Sequence, residues 1–147
     1  MATYSFIDVQ ASITGPGGAF SLGYGSGNSE EGITTSMVED KNVMTIGADG
    51  SVMHSLHAGR GAQYTLHYLK TSPINAQLSI LYNIQTLSSA LHGKNIITIR
   101  NIATGDIITG AFCAFKKLPD VNYAKDGGMQ NWVFDVGNST TIFGNSA

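Results

Sequence analysis

Hydrophobic and polar positions alternate with a period of two over much of this chain. Ile7, Val9, Ala11 and Ile13 are interleaved with Asp8, Gln10 and Ser12. Tyr64, Leu66 and Tyr68 alternate with Gln63, Thr65 and His67, and Trp132, Phe134 and Val136 with Asn131, Val133 and Asp135. Such spacing places one set of side chains on one face of an extended strand, so three half-buried strands are predicted, the first starting close to residue 4 and the last ending at Gly137. β-Branched and aromatic runs over Ile33 to Val38, Val43 to Ile46, Asn95 to Ile102 and Ile107 to Phe115 predict further strands. Glu39-Asp40-Lys41-Asn42 reads as the turn of a hairpin between the first two runs, and Ala103-Thr104-Gly105-Asp106 as the turn between the last two.

One stretch breaks this rhythm. From Ile74 the apolar residues Leu78, Leu81, Ile84, Leu87 and Leu91 recur at helical spacing, with Ile80 and Tyr82 beside them. Ser72 before Pro73 is a good start signal and Gly93 a good stop, so a helix is predicted over about 73–91. Its apolar arc spans roughly 220°, wider than one core-facing stripe. No Asp, Glu, Lys or Arg occurs between Lys70 and Lys94. Asn75, Gln77, Asn83 and Gln85 interrupt the run too often for a membrane span. The uncharged helix therefore predicts a second packing partner, another subunit, with Leu78, Leu81, Asn83 and Leu87 as the contact residues.

Three glycine-rich segments separate these elements. Gly15 to Gly32 reads as a long flexible connector with a brief strand at Ala19 to Leu22. Its Gly23-Tyr24-Gly25-Ser26-Gly27 lacks the following helix and Gly-Lys-Ser/Thr that a phosphate loop needs. Gly47 to Gly61 reads as a loop carrying the apolar residues Val52, Met53 and Leu56, an unusual content for a loop. Lys116 to Gln130 is the third loop. Residues 138–147 form a small polar tail that either adds a short strand at Thr141 to Phe143 or stays mobile. The fold class that follows is mainly β, an antiparallel sandwich or barrel with one flanking helix, in a single domain over 1–147.

Charge and chemistry narrow the function. Charged residues make up 12% of the 147, and 8 Lys+Arg against 10 Asp+Glu give a net charge of -2, too little basic surface to grip a phosphate backbone. The N-terminus lacks the basic and apolar regions of a secretory signal, so cytoplasmic folding is expected. Cys113, the sole cysteine, sits between Phe112 and Phe115 and reads as a buried thiol. His54 and His57 share an H-x-x-H spacing without an obvious third ligand, and Asp120 and Asp126 lie among turn residues. No nucleophile elbow, zinc motif, Walker loop or dinucleotide fingerprint is present. No catalytic, metal or cofactor site is expected, and the chain is read as a non-enzyme.

Five segments taken in order, MATYSFIDVQASITGPGGAF (1–20), EEGIT (30–34), EDKNVMTIGADG (39–50), LKTSPINA (69–76) and FKKLPDVNYAKDGG (115–128), resemble the tail tube proteins of contractile-tailed bacteriophages. The resemblance covers roughly residues 1–137. It implies a small β-sandwich or barrel with a flanking helix, assembled into hexameric rings that stack into a hollow tube inside a contractile sheath, and in such a stack the Gly47 to Gly61 loop, through Val52, Met53 and Leu56, is expected to make the contact from one ring to the next. It further implies a virion protein assembled in the host cytoplasm, with the tail sheath protein, tape measure and baseplate proteins as partners, no membrane, and DNA crossing the lumen without specific binding. The alternative from another class is a non-catalytic β-sandwich module binding a carbohydrate or receptor, with Tyr24, Tyr64, Tyr68, Tyr123 and Trp132 as stacking platforms.

Overall fold

The computed structural model describes residues 3–23 and 28–144, with backbone alone over 28–31. A 3-10 turn at Phe6–Asp8 leads into β1 (Val9–Gly15) and β2 (Gly18–Ser21). Then come β3 (Asn28–Met37), β4 (Asn42–Ile46), β5 (Val52–Leu56), β6 (Ala62–Leu69), α1 (Ile74–Gln85), β7 (Asn95–Asn101), β8 (Asp106–Lys117) and β9 (Met129–Ile142). Seven strands form one antiparallel sheet in the order β2-β1-β7-β8-β9-β6-β3, and β4 and β5 form a separate two-stranded sheet. The large sheet curls on itself. The Tyr68 hydroxyl on β6 donates to the carbonyl of Leu22, just past β2, at 2.8 Å, although β6 and β2 lie far apart in the strand order.

The expected alternation is what fills the curl. Val9, Ala11 and Ile13, then Tyr64, Leu66 and Tyr68, then Trp132, Phe134 and Val136, all point into one core with Leu78 and Leu81 of α1. Phe115 is the hub of an aromatic group, with ring centroids at 5.5 Å from Tyr82, 5.9 Å from Trp132 and 4.5 Å from Phe134. The Asn95–Ile102 and Ile107–Phe115 hairpin forms as expected, in register from Asn101↔Asp106 to Ile97↔Gly110.

Local differences have local causes. Ile7 is exposed because the 3-10 turn, capped by the Ser5 hydroxyl on the Ile7 N–H, delays β1 to Val9. α1 stops at Gln85, short of the expected 91: the Thr86 hydroxyl bonds back to the Tyr82 carbonyl at 2.8 Å, and residues beyond it form turns. Back-bonding of this kind competes with the helix ladder, and Ser88 and Ser89 follow directly. The start signal holds, since the Ser72 hydroxyl accepts from the Ile74 N–H. β9 runs on to Ile142, so 138–142 is strand paired to β8 and not a loose tail. The Gly23–Gly27 segment has Tyr24 to Gly27 outside the described residues, as are 145–147.

A buried amide pair and a strand bulge shape the sheet. Gln85 and Asn95 are both buried and exchange two hydrogen bonds of 2.6 Å; the remaining amide protons go to the carbonyls of Pro16 and Cys113, each at 3.1 Å. This closed amide pair ties the end of α1 to β7, β8 and the β1–β2 turn. Gly15 is required beside it, because a Cβ there would lie 1.8 Å from Asn95 Oδ1. The second feature is a bulge in β8, where Ala111 and Phe112 together oppose Ile96. Phe112 has φ 55, the one non-glycine residue with positive φ among the described residues, a conformation costing roughly 1–2 kcal/mol.

Cys113 is the buried thiol expected, and burial pushes it up to about 11 from an ordinary 9.0. The neutral form is therefore favoured by folding. As pH rises from 9 toward 11 the unfolded thiol loses its proton first, so this contribution to stability is intact below 9 and is lost through 11. Urea titrations across that window should show stability falling with pH in the native chain and a shallower fall in Cys113→Ala. Equal slopes would disprove the assignment.

Candidate assembly surfaces

The stretch around the Glu39–Asn42 turn folds differently from expectation. β3 does not pair with β4; it pairs with β6, from Ile33↔Leu66 to Met37↔Ala62. Pairing then continues irregularly outward, Val38 N–H to the Gly61 carbonyl at 3.0 Å and His57 N–H to the Lys41 carbonyl at 2.9 Å, until β4 pairs with β5 from Asn42↔Leu56 to Ile46↔Val52. Residues 33–69 are thus one long ribbon with a kinked neck, and Glu39-Asp40-Lys41 is that neck. The Lys41 ammonium donates to the His57 carbonyl at 3.1 Å, and His57 Nδ1 lies 3.1 Å from the Asp40 carbonyl.

The reversal comes instead at Gly47–Ser51. Gly47 N–H donates to the Ser51 carbonyl at 2.7 Å, Gly50 sits at φ 89, and Asp49 Oδ1 accepts from the Ser51 N–H at 3.0 Å. That backbone bond, with the Ser51 hydroxyl, holds the Asp49 carboxyl below its usual range. The expected ring-stacking loop, Gly47 to Gly61, is therefore the tip and returning strand of a projecting arm. A chain segment bounded by glycines and short of alternation reads as a loop; only its partner strand, Val43 to Ile46, makes it β.

Both faces of the arm are uncovered. Met44, Ile46, Val52 and Leu56 share one face with Asn42 and His54, while Val43 and Met53 share the other with Thr45 and Ser55. The six apolar residues are all exposed, Leu56 at 83%. A two-stranded ribbon is marginal in water by itself, so side chains in this setting call for a surface to receive them. His54 Nδ1 lies 3.2 Å from Asn42 Nδ2, so both histidines of the H-x-x-H spacing are engaged in the ribbon, and among the described residues no cluster of three metal-ligating side chains forms.

α1 is the second surface. Leu78 and Leu81, two of the four residues expected at a subunit contact, are fully buried in the chain's own core and have no surface left for a neighbour. That part of the expectation is corrected: the 220° arc divides, one side on the core and one outward. Asn83 and Leu87 are exposed, Leu87 at 84%, and Ile80 joins them. Asn75, one of the polar residues that interrupt the apolar run, holds the helix start by accepting from Trp132 Nε1 at 3.0 Å and donating to the Leu69 carbonyl at 2.9 Å.

The arrangement speaks against a stacking platform. Tyr64, Tyr68 and Trp132 are core residues, Tyr64 with its hydroxyl against Ser139 at 2.5 Å and its pKa raised by burial. Tyr24 lies outside the described residues, and Tyr123 stands exposed beneath the Lys70 ammonium, 4.1 Å from the ring centre. No helix among the described residues is long and apolar enough to cross a membrane.

Solved structures share the fold. A sheath/tube terminator of an extracellular contractile injection system (PVC) in its extended state superposes with a TM-score of 0.57 at 14% identity, over 97% of this chain and 98% of that one. The tube-terminating cap of the anti-feeding prophage gives 0.55 at 10% identity, over 97% and 94%. A PVC sheath–tube complex gives 0.54 at 10% identity, over 91% and 88%. No curated protein matches in sequence. Residues 1–144, however, match the family described as Bacteriophage PhiTE tail tube protein, nearly the whole chain on the sheet and helix laid out above. The chain belongs to that family and is a structural subunit of a tail tube, a component of the virion.

Proposed function

We propose that the subunit forms hexameric rings that stack into a hollow conduit through which DNA passes into the host, enclosed by a contractile sheath. The observation that carries this reading is the β4–β5 arm, whose apolar side chains are uncovered on both faces by the described residues of the chain. The arm reaches the next ring through Val52, Met53 and Leu56; the outward side of α1 at Asn83, with Leu87 just beyond the helix end, meets the neighbour within a ring. Solved relatives of this fold come from a sheath–tube complex and from a baseplate, which supports the sheath and baseplate proteins as partners, with a tape measure protein inside the forming tube. A net charge of -2 suits a wall past which DNA slides.

Negative-stain microscopy of the purified chain tests the assembly: rings or tubes are expected, and a monomer at all concentrations that is retained on a glycan array would establish the binding-module alternative. The helix contact has its own test. Asn83→Glu places a charge on an exposed position, so the subunit should fold with unchanged thermal stability while ring formation weakens about tenfold, the cost of desolvating one unpaired rim charge. Assembly at the native concentration would show that this side of α1 faces water.

A further inference from the structure

Among the described residues every methionine is on the surface, while the one cysteine, Cys113, is buried in β8. No methionine belongs to the core. Met37 ends β3 and Met129 opens β9; Met44 and Met53 stand on the arm, 54% and 59% exposed. The accessible sulfur of the subunit is therefore thioether, and two of these positions lie on the element left uncovered on both faces.

The ribbon register puts the two arm methionines on opposite faces. Met44 pairs with His54, next to Ile46, Val52 and Leu56, whereas Met53 pairs with Thr45, next to Val43. Whichever face seats against a partner, one thioether goes with it. An unbranched thioether adapts its shape to an irregular surface, which favours it at a contact. The same sulfur is open to oxidation. Its lone pair attacks one oxygen of a peroxide; the S–O bond forms as the O–O bond breaks, and the other oxygen leaves as water. Sulfur loses two electrons, the peroxide gains them, and the side chain becomes a polar sulfoxide. In the free subunit this change has no packing consequence, because the core holds neither sulfur and both meet water before and after. A contact that sheds water is opposed by it, since a hydrated polar group has to be stripped among Val43, Ile46, Val52 and Leu56.

We propose that Met44 and Met53 are oxidation sites at which peroxide blocks assembly of the free subunit. The inference rests on the stacking role proposed for the arm and adds a chemical control to it. Reduction by a methionine sulfoxide reductase lifts the block, a dithiol supplying two electrons and the oxygen leaving as water. Once the arm is seated its sulfurs are sheltered, so the sensitivity belongs to the subunit and not to the finished tube.

The experiment treats the full chain with hydrogen peroxide below its assembly concentration and maps added oxygen by mass spectrometry of its peptides. Met44 and Met53 should each gain one oxygen, and the subunit should melt at the temperature of the untreated chain. The concentration for half-maximal assembly should rise by at least about tenfold, and reductase treatment should restore it. Met37→Leu with Met129→Leu removes the exposed methionines off the arm and should leave the full peroxide response. Met44→Leu with Met53→Leu is compared with itself, and its assembly concentration should be the same before and after peroxide. Subunits carrying both sulfoxides that assemble at the native concentration would overturn the proposal. So would a lower melting temperature on oxidation, a response that disappears with Met37 and Met129, or one that survives the loss of Met44 and Met53. The reading beneath it fails differently: arm methionines that oxidise as fast in preformed tubes as in the free subunit would show that stacking leaves the arm uncovered.

Discussion

Replacing Val52, Met53 and Leu56 together with serine should abolish tubes while leaving a folded subunit. The three side chains are largely exposed on an arm that shares no strand pairing with the seven-stranded sheet beyond its neck, so the core does not depend on them. On the proposed stacking, seating them against the next ring would contribute roughly 1 to 2 kcal/mol each, and about 4 kcal/mol per contact is near a thousandfold in association constant. In the proposed stack of rings these contacts would repeat around the tube, which compounds the loss. Rings or monomers without tubes are expected by electron microscopy, with circular dichroism and melting like those of the native subunit. Normal tubes would show that the arm is seated by something other than these residues. Since the arm is a paired ribbon and not a coil, ordering it at assembly costs less backbone entropy than a loop of the same length would.

The second large effect lies in the interior. Asn95→Ala removes both hydrogen bonds to the buried Gln85 side chain, leaving its Oε1 without the Asn95 donor while Nε2 keeps only the Pro16 carbonyl, and takes a donor from the Cys113 carbonyl. Each unsatisfied buried group costs about 1–3 kcal/mol, so a loss of about 3 kcal/mol is expected, or roughly 10 °C in Tm for a chain of this size. Asn95→Asp should be worse, because the acid keeps the acceptor, loses the donors and brings a charge into a site built of neutral dipoles. Melting is best followed in the arm variant, where polymerisation does not add to the apparent stability. Two variants within 1 kcal/mol of the parent would mean that water reaches the pair and satisfies it.

Period-two alternation in Val9 to Ile13, Gln63 to Leu69 and Trp132 to Val136 determined three core strands by itself, because a strand with one wet face needs only its own residues to be recognised. The same holds for the β7–β8 hairpin, with its short turn, and for the buried Cys113. The motif-level likeness to tail tube proteins was legible for the same reason, being linear. Pairing partners were not. Glu39–Asn42 and Gly47–Ser51 are both good turn signals, and the choice between them was made by Ile33 to Met37 finding β6, a contact across some thirty residues. A wide apolar arc on α1 stated that two surfaces were needed but not which leucine served which; Leu78 and Leu81 were assigned by the curl of the sheet that receives them. Gln85 looked like one more polar residue on a helix, and only the fold brings it against Asn95, ten residues on and across a chain reversal. Local periodicity reports which residues want to leave water, whereas the partner that takes them in is set by long-range packing, where several locally equivalent choices differ in how completely buried polar groups are satisfied.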